Sequence, residues 1–156
     1  MNLTLDANFM PKTHAPGGEA DLIFNYTKSD IYPKHDLLIE ATLSESTGQR
    51  QMEWEPVSRH LENHISKTHN KYDYVIFIAS QLEERTLKTF RVMKNYKIDV
   101  RGEEIGLKII PLDVDVIKII LEKKKKYKEL YSIFDDSYTS LQTGLNWYNN
   151  TLANKI

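Results

Sequence analysis

The chain has 156 residues, 40% hydrophobic and 28% charged, with a formal net charge of −1 and no cysteine. That balance suits one folded domain with one core and excludes a disordered tail, disulfides and thiolate metal sites. The near-zero charge also argues against a strongly basic, stand-alone DNA-binding module, because affinity for phosphate comes mainly from Lys and Arg.

Residues 1–19 read as an irregular N-terminal arm broken by Pro11, Pro16, Gly17 and Gly18. Residues 20–26 read as a strand, 27–35 as a hairpin connection containing Pro33, and 36–43 as a second strand. Ser46 to Thr68 reads as a helix, with Val57, Leu61 and Ile65 recurring every fourth residue, and Pro56 predicts a kink or a restart in it. Tyr72 to Ala79 is the clearest buried strand. A helix over 82–96 follows through Leu82, Thr86, Phe90 and Met93, and then a strand from Leu107 to Leu112. Asp113 suits the N-cap of a helix that continues into Lys123-Lys124-Lys125-Lys126, where the helix dipole favours cations. A more polar helix is expected over 137–153, within a C-terminal helical extension, 137–156. The order β-β-α-β-α-β-α-α predicts an α/β fold, a mixed β-sheet flanked by helices, in one domain spanning 1–156. No apolar run is long enough to span a bilayer, and the first residues lack the pattern of a signal peptide, so a cytoplasmic protein is expected.

A charge inside an apolar strand is costly unless something pairs with it or a metal binds it. Glu40 is the sharpest case. Alternation puts Leu38, Glu40 and Thr42 on one face of the second strand and Leu37, Ile39 and Ala41 on the other. Its ordinary alternative is an edge-strand acid facing water. Asp21, opening the preceding strand, reads on its own as a cap or turn residue. Together on paired strands, the two acids are better explained by a shared divalent metal, since like charges that close would force one to take a proton. Such a site is the usual apparatus for cutting a phosphodiester.

Glu53 and His60 are seven apart and return to nearly the same helix face, although Glu53 also reads as one more solvated acid. Arg50, Gln51 and Arg59 could hold phosphate or simply solvate the helix. His60 and His64 stand at a legitimate zinc spacing, with no clear third ligand and without the metalloprotease pattern. His14 reads as a surface residue. The run Lys123–Lys126 reads as a solvated helix face or, more sharply, as a weak contact to a DNA backbone. There is no Walker loop, dinucleotide glycine fingerprint, serine nucleophile elbow, helix-turn-helix or zinc-finger signature.

An Asp in one strand and an acid near the end of the next is the skeleton of the PD-(D/E)XK nuclease superfamily. The local text is more specific. Leu38-Ile39-Glu40-Ala41-Thr42-Leu43, then Gln49-Arg50-Gln51-Met52-Glu53-Trp54-Glu55-Pro56-Val57-Ser58-Arg59-His60-Leu61, resembles the AlwI-like type IIS restriction and nicking endonucleases. The resemblance spans about 20–61 and, as a fold, extends to about 130. It implies a restriction-endonuclease-like core that hydrolyses one strand of double-stranded DNA with Mg²⁺, Mn²⁺ substituting. Carried over by position, Asp21 and Glu40 match the metal-binding acids, the Ala41 carbonyl joins the metal shell, Glu53 matches a third acid, and His60 a further family position. Thr42 stands where the usual motif lysine would, which shifts base or transition-state stabilisation to His60, Gln51 or bound water. Relatives place another Glu on a helix upstream of the Asp, and here Glu19 is the only Glu before Asp21. The expected protein is a catalytic domain or small subunit whose target is chosen by a larger DNA-recognition subunit or domain. Two rivals stand beside it. One is a structure-selective junction or repair nuclease of the same fold, expected to be more basic. The other is a degenerate nuclease fold acting only in protein interaction, which the missing lysine and upstream Glu favour.

Overall fold

A computed structural model of the chain describes residues 2–3, 20–42 and 54–156. Its strands are β1 (Asn2–Leu3), β2 (Leu22–Tyr26), β3 (His35–Thr42), β4 (Tyr74–Ala79), β5 (Lys97–Val100), β6 (Glu103–Gly106) and β7 (Ile109–Asp113). Its helices are α1 (Trp54–Thr68), α2 (Glu84–Met93), α3 (Val114–Glu122), α4 (Tyr127–Thr139) and α5 (Gly144–Tyr148), the last running into a π-helical turn, Asn149–Ala153. One sheet has the order β1-β2-β3-β4-β7, and β5-β6 form a separate two-stranded hairpin. β2 is antiparallel to β1 and β3, whereas β3, β4 and β7 are mutually parallel. The fold is thus a mixed sheet flanked by helices, as the element order predicts.

Parallel strands cannot be joined by a tight turn and need a crossover. α1 supplies it between β3 and β4, and α2 with the β5-β6 hairpin supplies it between β4 and β7. Both faces of the parallel strands are therefore covered, which is why they read as near-continuous apolar runs. On one face, Leu38, Val75, Phe77 and Ile109 pack with Val57, Leu61 and Ile65 of α1, Phe90 of α2, and Ile98 and Val100 of the hairpin. On the other, Leu37, Tyr74, Ile76, Ile110 and Leu112 pack with Val116 of α3, Leu130 and Phe134 of α4, and Trp147 of α5.

Where β3 and β4 begin, rings fill the end of the second core. Tyr26 stacks on Tyr127 with centroids 3.7 Å apart, and His35 lies among Tyr26, Tyr32, Tyr74 and Tyr131. The Pro33 carbonyl, 2.8 Å from His35 Nδ1, can only accept, so Nδ1 carries the proton. Burial lowers the His35 pKa and favours the neutral ring. Nε2 then accepts from the Tyr127 hydroxyl at 2.5 Å, which in turn accepts from Tyr74 at 2.8 Å.

Five details depart from the sequence expectation. Pro56 is the third residue of α1 as described, and there its missing N–H costs no intrahelical bond, so it neither kinks nor restarts the described helix. The helix capped by Asp113, whose carboxylate accepts from the Val116 N–H at 2.8 Å, ends at Glu122 and does not run through the lysines. Lys124 adopts a left-handed φ of 49°, and the Lys126 N–H donates to Glu129 to start α4, so the lysines form a corner between two helices. The helix expected over 137–153 is broken after Thr139, where the buried Arg91 guanidinium bonds the Tyr138, Ser140 and Gln142 carbonyls and takes over their hydrogen bonding. The β5-β6 hairpin was not foreseen. It turns on Arg101 and Gly102, both at positive φ, as a two-residue primed turn requires. Within the arm read as irregular, Asn2–Leu3 pair with β2.

Leu61 is fully buried between α1 and the sheet. Leu61→Ala is expected to lower stability by about 3 kcal/mol in urea unfolding. The tyrosine cluster should also make the fold sensitive to alkali. Burial, with Tyr32 adding, pushes Tyr26 up from 10.0 to about 12, so between those values the folded state holds more protons than the unfolded one. Stability therefore falls as pH rises above 10. The melting temperature is expected to drop steeply between pH 10 and 11.5, and less steeply in Tyr26→Phe.

Candidate active site

β2 and β3 pair antiparallel with Leu22 level with Ile39, and one further step puts Asp21 level with Glu40. Both acids thus reach the end of the sheet where β3 and β4 finish. Glu40 belongs to the α1-covered face, on the alternation that buries Leu38, and is only 9% exposed. Asp21 Oδ2 accepts the Ala41 N–H at 2.9 Å, which ties the residue before β2 to the end of β3. His60 reaches the same point from above. The apolar stripe Val57-Leu61-Ile65 fixes the rotation of α1 on the sheet, and His60, beside that stripe, brings Nδ1 to 2.6 Å from Glu40 Oε1. An open depression of about 170 Å³ lies here, lined by Glu40, Ala41, Thr42, Pro56, Val57 and Phe77.

Burial raises the Glu40 pKa, the His60 hydrogen bond pulls it back, and the negative charge of Asp21 adds to the rise. The buried Glu40 carboxylate at the depression and the Asp21 carboxylate from the neighbouring strand offer hard oxygen donors. That set suits a cation of the Mg²⁺ class. The structure thus sets His60 against Glu40, and Asp21 against Ala41 in register with Glu40. Thr42 lines the same depression on the Glu40 side of the strand. Glu53 lies outside the described residues, as do Glu19, His14, Arg50 and Gln51.

The other candidates lie elsewhere. Arg59 sits 3.8 Å from Glu55 on an exposed face of α1, where it solvates the helix. The lysine corner immediately precedes Tyr127, which touches His35 and Tyr74 at the beginnings of β3 and β4. It therefore lies at the opposite end of the strands from Glu40. His64 does not join His60. Its Nε2 lies 3.0 Å from Asp36 Oδ2 and 3.5 Å from Asp73 Oδ2. Sequence reasoning missed both of these acids. A signal was present: Asp36 precedes Glu40 by four on the same strand face, as His60 precedes His64 by four on the helix.

The Glu40–His60 contact should be measurable without any substrate. His60→Ala leaves a buried carboxylate without its donor and is expected to cost about 1–3 kcal/mol in urea unfolding. In the double variant with Glu40→Ala the losses should fall short of additive by about 1 kcal/mol.

The model of the AlwI restriction endonuclease family matches residues 1–135. Among solved structures, the small subunit of the heterodimeric restriction endonuclease R.BspD6I has a similar fold. The TM-score is 0.62 at 21% identity, over 99% of this chain and 76% of that one. Comparison with curated protein sequences gave no match. The family match covers the strands, the crossover helix and the paired acids described above, and the chain belongs to the AlwI restriction endonuclease family.

Proposed function

We propose that this chain is the catalytic small subunit, or catalytic domain, of a type IIS restriction endonuclease, working in the cytoplasm with a PD-(D/E)XK-type site. It cuts one strand of double-stranded DNA with Mg²⁺, Mn²⁺ substituting, and a larger partner subunit chooses the target. The observation that carries this reading is the convergence of Asp21 and Glu40 from adjacent strands on one open end of the sheet, with Glu40 held by His60.

Asp21, Glu40 and the Ala41 carbonyl would hold the ion. In a strand, one residue's N–H and C=O point to the same edge, so the Ala41 carbonyl shares the side on which its N–H meets Asp21. Glu53, the third acid by position, would complete the shell directly or through water. Bound there, the ion would polarise the scissile phosphate and lower the pKa of the attacking water. His60 occupies Glu40 Oε1 and leaves Oε2 for the cation, so it acts as a positioning residue through Glu40. Glu40 must be ionised to bind a cation, and the His60 hydrogen bond favours that form against burial.

One such site cuts one strand, and a double-strand cut needs a second catalytic chain. A near-neutral net charge of −1 leaves most of the grip on DNA to that partner. The R.BspD6I neighbour, itself a small subunit of a heterodimer, supports a two-chain arrangement. A second reading, a subunit acting only through protein interaction, draws on one observation: Thr42 stands where a catalytic lysine would.

The test is nicking of supercoiled plasmid in Mg²⁺ or Mn²⁺, with and without a candidate larger subunit. Metal-dependent nicking is expected from the native chain, loss to background in Glu40→Ala, and a drop of about 10- to 100-fold in His60→Ala. No nicking under any condition, together with no calorimetric binding of Mg²⁺, would establish the interaction-only reading instead.

A further inference from the structure

Away from Glu40, near the start of β3, a second set of ligating atoms converges. Asp36 comes from β3, His64 from the last third of α1, and Asp73 from the residue just before β4. Asp36, His64 and Asp73 are grouped so that one ligand atom from each lies within 4.8 Å of the other two. The separations of 3.0 Å and 3.5 Å from His64 Nε2 to the two carboxylates fall where ligands of one ion lie. Bonds of about 2.1 Å put adjacent ligand atoms about 3.0 Å apart in an octahedron and about 3.4 Å apart in a tetrahedron.

Outer contacts aim each carboxylate. Asp73 Oδ1 accepts the Asp36 N–H at 2.8 Å, and Asp73 Oδ2 accepts the Thr68 hydroxyl at 2.7 Å. Asp36 Oδ1 accepts the Asn25 side-chain amide at 2.7 Å. Metal-binding carboxylates commonly have hydrogen-bonded supports of this kind. The alternative occupant is a single proton on His64 Nε2. That proton can serve Asp36 at 3.0 Å, but at 3.5 Å it makes no proper hydrogen bond to the buried Asp73, whose oxygens accept instead from the Asp36 N–H and the Thr68 hydroxyl. One N–H cannot neutralise two converging carboxylates as well as one divalent ion can. Asp36 and His64 remain 19% and 16% exposed, so an aqueous ion can reach the site.

We propose that Asp36, His64 and Asp73 form a divalent-cation site separate from the one at Glu40, selective for a first-row ion that accepts nitrogen as well as oxygen, Zn²⁺ or Mn²⁺. Mg²⁺ prefers an all-oxygen shell, so the imidazole ligand sets this site apart from the carboxylate set at Glu40. Asp36 and Glu40 stand four residues apart, roughly 13 Å along an extended strand, which is too far for one ion to serve both. The role is structural. An ion here would lock the start of β3, the second half of α1 and the loop into β4 to one another, holding the crossover that presents His60 to Glu40.

The test is calorimetric titration of Zn²⁺ into chelator-stripped protein, with melting temperature as a second readout. The native chain and Glu40→Ala should bind Zn²⁺ alike, each gaining about 5 °C at Zn²⁺ about 100-fold above Kd. Asp36→Asn and His64→Gln, checked for fold by circular dichroism, should each weaken binding by about 10-fold or more. Co²⁺ bound to Glu40→Ala should show visible d–d absorption that Asp36→Asn loses, so a folding defect in the His64 variant alone leaves the result decidable. Absence of Zn²⁺ binding in the native chain would overturn the proposal, as would affinity unchanged by Asp36→Asn. Zn²⁺ binding that survives in Glu40→Ala separates this site from the nuclease reading, whichever way the nicking assay turns out.

Discussion

The parallel pairing of β3 with β4 is the constraint on which the rest of the molecule depends. Two parallel neighbours cannot be joined by a hairpin, so the chain must climb over the sheet and return. α1 makes that return, and only its Val57-Leu61-Ile65 stripe is apolar enough to face the sheet. Once the stripe is buried, the helix cannot rotate without exposing it. The histidines that flank the stripe are then committed: His60 to Glu40 near the end of β3 and His64 to Asp36 near its start. A packing requirement thus fixes the polar geometry. This is why truncating Leu61, which touches no substrate, bears on the site as well as on stability.

The two faces of the sheet divide their work. The α1 side carries the carboxylate–histidine pairs, and each of these groups sits beside a partner or near solvent, so its burial costs less than isolation would. The other side is closed by helices α3 to α5 and by stacked tyrosine rings. Its polar atoms are joined in a chain from Tyr74 through Tyr127 to His35 and the Pro33 carbonyl. The helices there meet through backbone carbonyls claimed by Arg91, whose guanidinium also lies 4.8 Å from the Trp147 ring.

The strands and the crossover helix were legible because burial on both faces leaves an unmistakable apolar run in Tyr74-Val75-Ile76-Phe77-Ile78-Ala79, and docking on one face leaves a period of four in α1. The Asp113 cap was legible for a similar reason, since an acid just before an apolar helix has one common use. The hairpin over Lys97–Gly106 was not. Its strands are four residues long, and its turn rests on Arg101 in a left-handed conformation that no propensity would assign to arginine. The break after Thr139 was hidden as well, because the group that stabilises it, Arg91, lies 47 residues away from Tyr138.

The order of the central strands β2, β3, β4 and β7 with the helices between them, the faces of β3 and the candidacy of Asp21, Glu40 and His60 follow from the sequence by itself, because alternation, helical period and an acid in an apolar strand are local signals. Which histidine meets which acid was decided only by the tertiary structure. A histidine pair four apart reads in sequence as one candidate ligand set. A helix rises about 1.5 Å per residue and a strand about 3.3 Å, so two side chains four apart on α1 meet residues spread over twice that length on β3. The pair is thereby split between Glu40 at one end and Asp36 with Asp73 at the other. Asp73, arriving from the far end of the crossover, could be recognised as part of that second cluster only once β4 was laid against β3.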